Sequence, residues 1–101
     1  MKIPKKVKIG GHWYRVLYPY IFKEDKTLWG QTDHATLEMR IAEQDGAGNK
    51  VDPSKIGEIF IHEILHCVDE IYNGGRLEED TIKRISQGLY QVLKENKFTI
   101  E

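Results

Sequence analysis

Disulfide chemistry is closed to this chain within itself, because Cys67 is its single cysteine, and that usage fits a reducing compartment. Neither sign of charge prevails. Fifteen lysines and arginines face sixteen acidic residues for a net charge of -1, so no overall field draws the protein to nucleic acid or to anionic lipid. Long apolar runs are missing as well: no segment approaches the roughly 20 residues of a membrane span or the core of a signal peptide, and the first residues are polar and lysine-rich. The expected setting is the cytoplasm, with no membrane and no nucleic-acid partner. Internal repeats, low-complexity tracts and long linkers are also lacking.

What is present is a globular composition, 40% hydrophobic and 31% charged over 101 residues. That length predicts one domain, residues 1–101, with a modest core that a bound metal would help to stabilise. Val7 and Ile9 alternate with lysines, Gly10-Gly11 supplies a tight turn, and Trp13, Tyr14 and Val16 suit a returning strand. Pro19 is expected to end the regular pairing. A second hairpin is expected from Leu28 to Thr32 and Thr36 to Ile41, turning near Asp33-His34. The run Asp45-Gly46-Ala47-Gly48-Asn49 reads as a loop dividing a strand-rich half from a helical half.

Asp52-Pro53-Ser54 is a helix start, and Asn73-Gly74-Gly75 a stop, so a first helix is expected over about 53–72. A second is expected from about Leu77 to Glu95, burying Ile82, Ile85, Leu89, Val92 and Leu93. The predicted fold class is α+β: a small antiparallel sheet of three or four strands in two hairpins, packed on two helices.

The first of those helices carries His62-Glu63-Ile64-Leu65-His66, the HExxH arrangement of a helical zinc site. Residues four apart share a helix face, so His62 and His66 can meet one metal ion with Glu63 beside them. Such a polar arc is ordinarily a solvated face. Here it holds histidines where solubilising lysines would be expected, and Ile61, Ile64, Leu65, Cys67 and Val68 around it are uncharged, which implies a helix sunk into the domain. Cys67 falls on the apolar side and reads as a packing residue.

Catalytic zinc keeps three protein ligands and an open position. The metzincin extension would need glycine at 69 and histidine at 72, where the chain has Asp69 and Tyr72. That route is closed. Glu78, Glu79 and Asp80 open the second helix and are the remaining acids, although acids in a first turn also complement a helix dipole without binding anything. Helical phase aligns Glu78 with Ile82 and Ile85, puts Glu79 in line with Ser86 and Leu93, and turns Asp80 away.

With its strand-rich start, its HExxH helix, a short glycine turn and the pattern Glu78-Glu79-x-x-Ile82-x-x-Ile85-x-x-Gly88-Leu89-Tyr90, nearly the whole chain resembles the minimal gluzincin metallopeptidases and the short HExxH proteins of phages and prophages. The resemblance implies one zinc ion per chain, held by His62, His66 and a glutamate of the following helix, for which Glu79 is the match and Glu78 the reserve. It implies peptide-bond hydrolysis, with Glu63 as general base and then general acid. Larger gluzincins place an aspartate one turn after that glutamate to orient a histidine. Lys83 or Ile82 stands there instead, which leaves Asp69 as a substitute. A peptide or protein substrate is expected to pair with an edge strand, for which residues 36–41 are the candidate. His12, His34, Tyr72 and Tyr90 are the groups from which an oxyanion stabiliser would come. Two other functions fit the pattern: a weakly active or latent zincin-fold interaction protein, with the tail Lys97 to Glu101 in the cleft, and a helix-turn-helix DNA-binding module. Acids at the start of the would-be recognition helix oppose the latter.

Overall fold

A computed structural model describes residues 2–98, in the order β1 Lys6–Ile9, β2 His12–Tyr20, β3 Gly30–Asp33, β4 Glu38–Ala42, α1 Pro53–Tyr72 and α2 Glu79–Glu95. The class is α+β. Both expected hairpins form, β1 with β2 and β3 with β4, each antiparallel. They join through a parallel pairing of β2 with β4, giving the order β1-β2-β4-β3 and a mixed sheet in place of the expected antiparallel one. Pro19 interrupts the register of that joint between Leu17 and Tyr20 without ending the strand. None of the helices among the described residues is long and apolar enough to cross a membrane.

Strand composition explains the order. In β4, Met39, Ile41 and Ala42 are buried, and a strand that apolar is best covered by neighbours on both sides. Short, polar β3, with the sequence Gly-Gln-Thr-Asp, is suited to an edge. The candidate substrate strand, residues 36–41, therefore lies inside the sheet, and the edge beside α1 belongs to β3. Proximity in sequence to the helix was a poor guide to sheet order.

Asp52 caps α1 by accepting the Ser54 backbone N–H at 3.0 Å. Ile56, Phe60, Ile61 and Cys67 then turn their side chains into the core with Tyr14, Val16, Met39 and Ile41. The face expected for α2 is corrected. Its buried residues are Ile82, Ser86 and Tyr90, whereas Ile85, Leu89, Val92 and Leu93 remain 38 to 46% exposed. A single ridge of residues four apart packs on α1, and Gly57 lets it come close: a Cβ there would stand 2.5 Å from the Tyr90 ring. The tail expected to reach the cleft ends in residues 99–101, outside those described; Lys97 and Phe98 are exposed.

Candidate metal centre

Glu79 opens α2 one turn before Ile82, on the side that packs onto α1, and this brings its carboxylate to both histidines. Oε1 lies 2.8 Å from His62 Nε2 and Oε2 lies 2.9 Å from His66 Nε2, while the two Nε2 atoms stand 3.1 Å apart. Donor atoms held about 2.0–2.1 Å from a tetrahedral ion are separated by about 3.3 Å, so these spacings are those of one coordination polyhedron to within half an ångström. Glu78, the reserve, is the exposed N-cap of α2 and makes no side-chain capping bond. Glu79 is itself 68% exposed, against 18% and 29% for His62 and His66. The cluster opens to solvent on the α2 side.

Hydrogen placement is a second test of fit. Ser86 Oγ donates its one proton to the Lys83 carbonyl at 2.9 Å and stands 3.4 Å from His62 Nδ1. With that proton engaged the hydroxyl is placed to accept from the ring, an arrangement that goes with the His62 proton on Nδ1 and a lone pair on Nε2. In that tautomer an imidazole lone pair stands beside a carboxylate oxygen, and one donor atom from each of His62, Glu63 and His66 falls within 4.8 Å of the others. The arrangement can hold a metal ion.

Glu63 differs from the ligand pair. Its side chain is only 5% exposed, accepts a hydrogen bond from Thr32 Oγ1 at 2.8 Å on Oε1, and has its pKa raised. Burial is the main cause; the Thr32 bond and nearby His66 pull it back, and the Glu79 charge pushes it up again. β3 comes close enough for this because residue 30 is glycine: a Cβ there would stand 2.8 Å from Ile59 Cγ2 and 2.9 Å from Glu63 Oε2. Oε2 therefore faces the backbone of the edge strand.

Two open spaces flank the cluster, and His62, Glu63 and Glu79 line both. One, of about 540 Å³, is walled by Trp29, Ile59, Lys55, Lys83 and Gln87. The other, of about 330 Å³, runs along Gln31, Thr32, His34 and His66. Of the four oxyanion candidates only His34 lines these spaces, with Nδ1 3.3 Å from Tyr14 Oη. Tyr90 is buried against Gly57, Tyr72 is exposed, and His12 sits in the β1–β2 hairpin.

Asp69 does not orient a histidine. Only 5% exposed, it accepts from Asn73 Nδ2 at 2.9 Å and from the Leu77 backbone N–H at 3.2 Å, while its carbonyl takes the N–H groups of Asn73 and Gly75. It fastens the turn that returns the chain to α2. The residues that do touch the cluster from outside, Thr32 and Ser86, were missed in sequence. Thr32 gives no signal there, whereas Ser86 shares the helical phase of Glu79. Comparison of the chain with protein-family models, with curated proteins and with solved structures finds no match.

Proposed function

We propose that this chain is a zinc-dependent metallopeptidase of the gluzincin kind, with His62, His66 and Glu79 as ligands. The observation that carries the reading is the convergence of two imidazole Nε2 atoms and the Glu79 carboxylate within about 3 Å, beside a buried Glu63 and under a free strand edge. Two nitrogens and one carboxylate are a zinc donor set. Bound zinc supplies Lewis acidity toward a peptide carbonyl and toward water.

The remaining chemistry belongs to the chain. Glu63 takes a proton from the attacking water and passes it to the leaving amine, and its raised proton affinity suits both steps. Thr32 holds Oε1, so Oε2 is the oxygen left for proton transfer. An extended peptide pairs with the outer edge of Gly30–Asp33, which replaces residues 36–41 as the substrate strand. The buried free thiol of Cys67 supports a cytoplasmic setting.

Metal analysis of the purified protein should find one zinc per chain, lost in Glu79→Ala more readily than in Glu78→Ala. Glu63→Gln should keep the zinc and lose roughly 10²- to 10⁴-fold in cleavage of an unfolded protein substrate. A wild-type chain without zinc removes the metal reading. Zinc retained with no cleavage by the wild type removes the peptidase and leaves a metal-stabilised interaction protein.

A further inference from the structure

An imidazole that is to offer Nε2 to an ion must carry its neutral-state proton on Nδ1, and something must hold it there. The aspartate that would do this one turn after Glu79 is replaced by Lys83, whose side chain is exposed, and Asp69 is engaged at the α1–α2 turn. The atom that does reach His62 Nδ1 comes two turns along α2 from Glu79: Ser86 Oγ, at 3.4 Å, on a side chain 1% exposed. On its other side the hydroxyl donates to the Lys83 carbonyl at 2.9 Å. That bond leaves a hydroxyl lone pair available to the ring. Packing fixes its place too, as Ser86 lies between Ile82 and Tyr90 on the ridge that meets α1.

We propose that Ser86 is the positioning residue of the metal cluster, holding His62 in the tautomer and orientation that aim its Nε2 lone pair at the point shared with His66 and Glu79. This rests on the metal reading above. It also makes α2 contribute twice, with Glu79 completing the donor set and Ser86 setting a donor that lies on α1. A serine can do this without adding charge to a cluster that already contains Glu63 and Glu79. Nothing comparable serves His66, whose Nδ1 has no hydrogen-bond partner among the described residues.

The experiment is zinc affinity by chelator competition, with the absorption spectrum of the cobalt-substituted protein, on wild type, Ser86→Ala, Ser86→Cys and Ser86→Thr. Melting of the metal-free forms is measured alongside. Ala removes the acceptor, Cys keeps the volume with a poor acceptor, and Thr keeps a hydroxyl able to bond the preceding turn. Zinc affinity should fall about 10-fold or more in Ala and Cys, with an altered cobalt spectrum, and Thr should recover most of it. Wild-type affinity in a folded Ala or Cys variant would overturn the proposal. So would an equal loss in Thr, or a loss of metal-free stability with affinity intact, since both mark a packing role alone. If Ala fails to fold, Cys decides. A wild type that binds no zinc fails at an earlier point, the metal reading itself.

Discussion

Glu63 and Cys67 are both buried on α1, four residues apart, and the chemistry of each follows from its partners. Glu63 lines the cleft and has a donor in Thr32, whereas Cys67 is wholly enclosed. Burial pushes the Cys67 thiol from 9.0 up to about 11, with the nearby Thr32 hydroxyl easing it, the Glu63 charge adding to it and Tyr14 easing it again. A raised pKa means that the neutral thiol's contribution to stability is complete below its ordinary value near 9.0 and is lost as pH rises through about 11. Alkylation by iodoacetamide at pH 8 should accordingly be slow in the folded protein and fast in denaturant. Equal rates in the two states would place the thiol at the surface. The packing role of Cys67 was legible in sequence from its helical phase, and so was the facing of the two histidines. Thr32 was not, because strand parity says which side a residue points to and not which helix residue it will meet.

Elements were easier to find than their faces. Capping and stop signals located α1 to the residue: Asp52, Pro53 and Asn73 are local chemistry, read by neighbours a few positions away. The face of α2 depended instead on what it packs against. Apolar phase favoured Ile82, Ile85, Leu89, Val92 and Leu93, and of these only Ile82 is buried, joined by Ser86 and Tyr90, because Gly57 on α1 offers a notch for a ring. The same correction carries Glu79 onto the α1 side. Asp69 was legible as an acid near the end of α1, but its bonds to Asn73 and Leu77 depend on a turn geometry that no local pattern specifies. Asp69→Ala should leave the Leu77 N–H unpaired and lower stability by about 1–3 kcal/mol. Asp69→Asn, which keeps an acceptor, should lose less in a denaturant titration. Equal losses would mean that the charge matters and the bonds do not.

On the scale of the whole molecule, the β2–β4 joint and the edge position of β3 were beyond sequence reasoning, since several strand orders satisfy the same two hairpins. The arrangement adopted leaves the two helices unequally held. α1 rests against β3 and β4, while α2 packs almost entirely on α1, along one narrow ridge. An element with so few buried contacts is the first to open in local unfolding. Backbone amides of α2 should therefore exchange with deuterium well before those of β2 and β4. Zinc should slow exchange in α2 more than in the sheet, because an ion shared by His62, His66 and Glu79 would tie the two helices together; protection rising equally everywhere would argue against that tie. The same feature would set the kinetics of a bound metal. With Glu79 as a donor, the ion would be held partly by the element of the fold that opens most readily, so each opening of α2 would hasten its exchange.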